Sequence, residues 1–471
     1  MTKINNVKNN ILYFISSIIF PIALLSPIAM WILIVVPAII FFFVDNNKLN
    51  YIKEFKYSEI MFFFFFLVGG SSLFWTNNLE FGSKALLSLL SIFFSFIVFR
   101  KNIKFLKKKK ILNFFTYSFL ITSLFLFIDI YFLLGIKPWL GLKFDYLFEN
   151  QSLKPQPYLE FFYEYGKGKN AGAYGRGLAV ISTFSFIVAL ANYKSKKTLF
   201  TIFFITFISL LAGENTSAFF AFISGNIILF FFIIFGKKFL YPLLSVIILY
   251  AFSAPLIFNK KIHENWKDKS LVLEKKTELL NNQIGGLPKG FNRNYILLHA
   301  KNIKNKIDKK VSHRLIIWSH SSDKIFNKVF LGYGVSSSRK FGELEKIEFI
   351  DIREEKKFKF ILPSIPLHPH NNTIQIWLEL GMLGIISFYS FLIFIWYSTV
   401  FRSNLSDIQT AFISGSIFCV FIINQISYGL WQSWWISSII LLIIFSLIIL
   451  KSHNSNEITR IPETISPAPN Q

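Results

Sequence analysis

Apolar runs of roughly membrane length, each closed by a charged or glycine-containing loop, recur along almost the whole chain. A helix rises 1.5 Å per residue and crosses the hydrocarbon core of a bilayer in about 20 residues. By that measure the pattern predicts twelve spans, near 11–28, 29–44, 59–75, 82–99, 111–135, 174–192, 198–213, 215–235, 239–258, 371–398, 409–427 and 430–450. Only prolines and Ser26 separate the first two, in "PIALLSPIAMWILIVVPAII". The expected fold is therefore an all-α polytopic membrane protein with one large, mainly helical loop.

The loops carry a second pattern. Alternate short loops hold Lys3 and Lys8; Lys48, Lys53 and Lys56; "RKNIKFLKKKK" from Arg100; "KSKK" from Lys194; Lys237 and Lys238; Arg402; and Lys451. Intervening loops such as "TNNLEFGSK" and "GENT" are nearly free of basic charge. With twelve spans every basic loop falls on one side, so the positive-inside rule puts both termini in the cytoplasm. The expected organisation is nine spans within residues 1–258, with a smaller outer loop at 136–173. A large outer loop at 259–370, three spans within 371–450 and a polar, Pro-containing tail at 451–471 follow. The large loop is rich in Lys and Arg, but loops beyond about 60 residues translocate largely regardless of charge. Within it "DKSLVLEKKTELLNN" and "SHRLIIWSHSSDKIFNK" read as helices, the latter capped by Ser312, and "FLGYGVSSSRKFG" as a glycine-rich turn.

Composition agrees: 53% of the 471 residues are hydrophobic and 59 are Phe, which excludes an ordinary soluble enzyme. The formal charge of +24 suggests nucleic acid at first sight. Its placement in loops is instead what topology and anionic headgroups require, so membrane lipids and not nucleic acid are the expected partners. A single cysteine, Cys419, lies in an apolar run and supplies neither a disulfide framework nor a thiolate metal site. The first apolar stretch is too long for a signal-peptide core and reads as a retained helix.

Candidate chemistry gathers near the large loop. Six of the seven histidines lie there: His263, His299, His313, His320, His368 and His370. Neutral imidazole is a natural general base near pH 7. In "HPH" an extended backbone would send the two rings to opposite sides, a poor metal site, and no metal or other cofactor is expected. His370 stands out because Pro369 stiffens its approach and Asn371 and Asn372 start a span, whose free N–H groups favour an anion; the alternative is a loop histidine that only caps the helix. Glu379 lies nine residues on and one turn from Gln375, and an acid at such depth faces a bundle interior or wet cavity. It contacts substrate or makes a packing hydrogen bond; the residues leave both open. Gly381 and Gly384 read as close helix-packing positions. Arg314 and Arg176 are candidate clamps for a pyrophosphate, since a guanidinium forks onto phosphate oxygens, or else a surface charge and a headgroup contact. Trp266 and Trp318 are candidates for sugar stacking, and Trp431, Trp434 and Trp435 fit an interfacial belt better.

These residues also carry a family likeness. His370-Asn371, nine residues, then Gly381-Met382-Leu383-Gly384, with "RLIIW" and "FLGYGVSS" upstream, resembles the O-antigen ligase and polymerase family of bacterial inner-membrane glycosyltransferases. The specific motifs span about 312–384, and the architecture agrees along the whole chain. The resemblance implies His370 as base on an acceptor sugar hydroxyl, Arg314 as a diphosphate clamp and Arg176 as a second one. It implies an undecaprenyl-pyrophosphate-linked glycan donor and lipid A-core or another glycan as acceptor; Asn371, Gln375 and Glu379 would support the site. One departure is clear: "GENTSAFF" places Thr216 and Ser217 where family members often have Ser-Arg. Asn215 or Ser217 there can offer only neutral hydrogen bonds. Lipid-linked pyrophosphate is a good leaving group, so arginines and a positioned base suffice for direct, inverting transfer. A polymerase and a protein-glycosylating transferase use the same parts. A transporter or flippase is the rival of a different class, but it predicts inverted repeats and paired charges near the midplane.

Overall fold

The structure, a computed structural model, describes residues 2–45, 57–103, 108–131, 136, 174–213, 215–259, 314–353, 356–402 and 405–458. The predicted helix at "DKSLVLEKKTELLNN", the Ser312 cap, Trp266, His263, His299, His313, the loop 136–173 except for residue 136 and most of the tail lie outside these residues.

Helices occupy all twelve predicted stretches. They are α1 (Thr2–Leu25), α2 (Met30–Val44), α3 (Tyr57–Ser71), α4 (Leu79–Asn102), α5 (Lys108–Tyr131), α6 (Gly175–Ala191), α7 (Lys196–Ala212), α8 (Thr216–Phe235) and α9 (Leu240–Ile257). After the helix α10 over 314–325 and α11 (Ser337–Leu344) come α12 (Asn372–Tyr397), α13 (Asp407–Ile426) and α14 (Ser433–Ile458). Among the described residues nine helical runs have the length and hydropathy of a membrane crossing. One of them, Thr216–Ile257, is α8 and α9 joined through Gly236 at φ 65°, and α6 and α7 are apolar helices of 17 residues. Helices are the form that satisfies every backbone polar group within one segment where no water is available.

The large loop is not wholly helical. Between α11 and α12 stands an antiparallel hairpin, β1 (Lys346–Arg353) and β2 (Lys356–Pro363), with Lys346 opposite Pro363 and Arg353 opposite Lys356. In "KKFKFILP" Phe358, Phe360 and Leu362 keep the period of two that a strand with one apolar face requires, whereas in "KIEFIDIR" the apolar positions change face between Phe349 and Ile350. The stretch read as a glycine turn is half turn and half helix, because the amphipathic "SSRKFGEL" forms α11.

The chain forms two compact units. The first takes residues 1–53, 92–212 and 437–471. Its core is phenylalanine: Phe20 sits 5.0–5.4 Å from the rings of Phe115, Phe119 and Phe184, and Phe115 stacks on Phe445 at 4.2 Å. α6 is buried from Gly177 to Leu190. At its start the Tyr174 hydroxyl donates to the buried Asp129 carboxylate, which also accepts from the Ile136 amide at 3.0 Å. Arg176 belongs to this unit and is exposed on the first turn of α6.

The second unit takes residues 54–91 and 213–436. Here α8 packs along α13 and α12 along α3, with Phe65 and Phe62 of α3 meeting Phe388 and Phe391. Side-chain caps start its helices: Asn215 for α8, Asn371 for α12, and a Ser406–Gln409 capping box for α13. The helix α10 is tied to the base of the hairpin by Lys324 and His320, which meet Glu345 at 2.7 and 3.0 Å.

Candidate functional site

The second unit is organised around a break in α12. At Gly381 the backbone leaves the helix (φ 62°, ψ −156°), which strands carbonyls above and amides below. The glycine turn after α10 completes both sets. Leu378 and Glu379 carbonyls accept from Tyr333 and Gly334 amides at 2.9 and 2.7 Å, while Met382 and Leu383 amides donate to Val329 and Phe330 carbonyls at 2.8 and 3.4 Å. The approach is so close that a Cβ on Gly381 would lie 2.4 Å from the Phe330 carbonyl, and one on Gly332 2.5 Å from Glu379. Gly381 is therefore a backbone contact with the turn and not a helix-helix packing position. Gly384 packs against Ile376 and Leu380 of its own helix. This is why "FLGYG" and "GMLG" occur together.

Glu379 fills the space beside the break and is fully buried. One carboxylate oxygen accepts from Ser338 Oγ at 2.5 Å and Gln375 Nε2 at 3.1 Å. The other accepts from the Ser336 amide at 2.8 Å and Trp431 Nε1 at 2.5 Å. Four donors saturate it, the arrangement of a packing hydrogen-bond network. Gln375 uses its remaining oxygen on the Leu430 amide at 2.9 Å. Together Gln375 and Glu379 fix the segment between α13 and α14. Trp431 is thus an anchor, and Trp434 and Trp435 are buried, Trp435 bonding Asn424 at 2.6 Å, so the belt reading of these three is corrected.

That segment in turn holds the histidines. His370 Nδ1 lies 2.7 Å from the Ser427 carbonyl. A carbonyl only accepts, so Nδ1 carries the proton and the lone pair of neutral His370 sits on Nε2. His370 adopts φ 59°, a left-handed conformation that costs a residue with a Cβ about 1–2 kcal/mol. The turn also reverses the expectation for "HPH": instead of opposing each other, the His368 and His370 rings lie 4.4 Å apart. Both face Ser427, His368 Nε2 donating to the same carbonyl at 3.3 Å. Trp318 of α10 steadies the turn by donating to the Pro369 carbonyl at 2.8 Å. Asn371 caps α12, accepting from the Ile374 amide at 3.0 Å and donating to Tyr250 at 2.9 Å, so the cap is Asn371 and not His370.

His368 is buried, and its pKa is pushed down to about 3. Burial is the main cause; the neighbouring His370 and Arg314 charges add to it, and the bond to Ser427 opposes it. Arg314, half-buried at the start of α10, donates from Nη1 to Ser217 Oγ at 3.3 Å. Burial lowers its pKa, opposed by Tyr428, but a guanidinium remains charged throughout the accessible range. The residue that departs from the family pattern is thus a neutral partner of the arginine that matches it. His370, Arg314, Asn371, Gln375 and Glu379 all belong to the second unit; Arg176 belongs to the first. Ser427 and Tyr428 escaped the sequence reading, offering only a backbone carbonyl and an unremarked phenol. His368 was named there, but Pro369 and the Asn371 start of the span favoured His370.

A buried neutral His368 makes the fold acid-sensitive. An ordinary histidine binds its proton near pH 6.5, so below that value the unfolded chain takes up a proton that folded His368 refuses. Stability is full above pH 6.5 and is lost progressively as pH falls toward 3; at pH 5 the loss from this group is about 2 kcal/mol. Melting of the detergent-purified protein should occur at a lower temperature at pH 5.0 than at pH 7.5, and His368→Asn should shrink that difference. An unchanged difference would mean that His368 is not the group responsible.

A discontinuous span braced by a glycine turn, with histidines and an arginine at one end, defines a multi-span membrane protein with a built polar site. Residues 201–389 match the sequence profile described as O-antigen ligase. The chain is also similar to provisionally named polysaccharide ligases of Rickettsia. It is 40% identical to one from Rickettsia typhi over 141 residues, 30% of this chain and 33% of that protein. It is 29% identical to one from Rickettsia bellii over 282 residues, 59% of this chain and 58% of that protein. The chain thus spans about a third to somewhat over half the length of these relatives.

Proposed function

We propose that the protein is a polysaccharide ligase of the inner membrane: it transfers a glycan from undecaprenyl pyrophosphate to a periplasmic acceptor, with lipid A-core as the first candidate. The large loop would face the periplasm and both termini the cytoplasm, on the charge pattern of the short loops. The observation that carries the reading is His370, held in a left-handed turn with its Nδ1 proton on the Ser427 carbonyl at 2.7 Å. That bond orients the imidazole and leaves Nε2 the basic nitrogen.

In the proposed step an acceptor hydroxyl attacks the anomeric carbon while its proton passes to His370 Nε2. The new glycosidic bond forms as the bond to undecaprenyl pyrophosphate breaks, and that lipid departs with the electron pair. Attack opposite the leaving group inverts the anomeric configuration. Arg314 would stabilise the charge gathering on the pyrophosphate, the place where preorganised cations have most effect. Arg176 has this role by family resemblance alone and is tested by the same substitution.

Arg314→Lys is the direct test. A lysine keeps the charge but not the fork, so it should lose about 10- to 100-fold of transfer in a reconstituted assay while the protein accumulates normally. Wild-type transfer by this variant would remove Arg314 from the donor site. Deletion of the gene and analysis of lipid-linked and surface glycans decides the acceptor: accumulation of lipid-linked polymer supports a ligase, whereas capping by a single repeat indicates a polymerase.

A further inference from the structure

Beside the Glu379 anchor lies a cavity of about 300 Å³ whose wall includes His368 but neither His370 nor Arg314. That volume is at the small end of ligand sites, room for a single small ring. Three features describe what would fill it.

The first is charge. Arg339 of α11 lines the cavity with its guanidinium carbon 3.9 Å over the ring centre of Phe81. Stacking occupies its face and leaves the N–H edge for an acceptor. Among the described residues Arg339 makes no ion pair, whereas the other cation on the wall, Lys84, is paired with Glu80 at 2.5 Å. The acid of the wall, Glu379, is already saturated by its four donors. The charged group of the wall still open to a ligand is therefore the Arg339 guanidinium.

The second is a hydrogen-bond acceptor without a donor. Gln432 lines the cavity, and its amide oxygen is buried with no partner among the described residues. A buried polar atom left unsatisfied costs about 1–3 kcal/mol, so turning this covered amide oxygen toward a ligand O–H in the cavity breaks no existing bond of that oxygen. The third is the rest of the wall. Ser88, Ser433 and the Trp431 indole supply the short polar groups and flat apolar face that suit a sugar ring.

We infer that this cavity is a subsite for an acidic sugar, with the anionic substituent on the Arg339 edge and a ring hydroxyl on Gln432. Chloride or sulfate would satisfy Arg339 but bring no donor for Gln432, and a neutral sugar would leave the Arg339 edge without an anionic acceptor. The inference rests on the glycan-transfer reading and adds that the transferred or accepting glycan bears a carboxylate or phosphate.

Binding can be read without transfer. The full chain in phosphatidylcholine nanodiscs is titrated with D-glucuronate, D-glucose and sn-glycerol 3-phosphate, followed by saturation-transfer NMR. Glucuronate should bind at least about tenfold more tightly than glucose, equivalent to about 1.4 kcal/mol. Arg339→Gln should reduce glucuronate to the level of glucose, Arg339→Lys should keep part of the preference, and Gln432→Leu should weaken both sugars. Equal binding of the two sugars by the wild type would overturn the subsite. So would glycerol phosphate binding as well as glucuronate and unaffected by Gln432→Leu, which marks a lipid-headgroup site. Glucuronate binding with no glycan transfer by the wild type would overturn the transferase reading and leave the subsite standing.

Discussion

Replacing His370 with alanine is expected to lower glycan transfer by about 10²- to 10⁴-fold, the usual contribution of a positioned general base, with the protein still inserted and accumulated. The reason for little structural loss lies in its bonds. Asn371, not His370, caps α12, and the neighbouring His368 keeps its own contact with Ser427. The left-handed backbone at position 370 adds no new penalty, because alanine meets the same cost there as histidine. Transfer is measured with purified protein and lipid-linked donor, folding by melting temperature. His370→Gln refines the result, since an amide can hold the Ser427 carbonyl but cannot take up a proton near neutral pH. Loss in both variants with unchanged melting identifies the base; full transfer by His370→Gln would reduce His370 to a positioning residue.

The membrane-spanning part of this fold was legible because it depends on length and hydropathy, which are properties of each segment alone. All twelve stretches are helical, and the glycine turn, the α10 helix and the Asn371 start of α12 also follow local rules. The site was less legible where it depends on contacts between distant residues. "HPH" read as an extended peptide separates its rings, and only the left-handed φ of His370 brings them to one carbonyl. Gly381 and Gly384 looked like helix-packing glycines because their spacing suits that use. Phe330, 51 residues away, decides otherwise for Gly381, and Gly384 meets only Ile376 and Leu380 of its own helix among its nearest atoms. Trp431 had an ordinary place at a span end, and nothing local announces that its indole N–H is needed by Glu379. The hairpin at 346–363 was only half legible, because the second strand alternates while the apolar positions of the first change face between Phe349 and Ile350.

Glu379→Ala is expected to be the more damaging change to the fold. The substitution removes both oxygens at once and leaves the Ser336 amide, Ser338 Oγ, Gln375 Nε2 and Trp431 Nε1 without an acceptor. Each buried donor left unsatisfied costs about 1–3 kcal/mol, and the total stability of a protein is about 5–15 kcal/mol. Even with partial relaxation the loss should be several kcal/mol, seen as poor recovery of monodisperse protein and a lower melting temperature. Glu379→Gln keeps one acceptor oxygen but turns its amide N–H₂ toward two of the donors, so its effect should be intermediate. The pair separates the two roles that the sequence left open for this residue. If the carboxylate braces the turn 329–338 and Trp431, transfer falls in step with folding in both variants, unlike His370→Ala, where transfer falls alone. Wild-type melting with lost transfer in Glu379→Ala would instead put Glu379 on the substrate. The four donors now on its oxygens would then have to give way as the glycan enters.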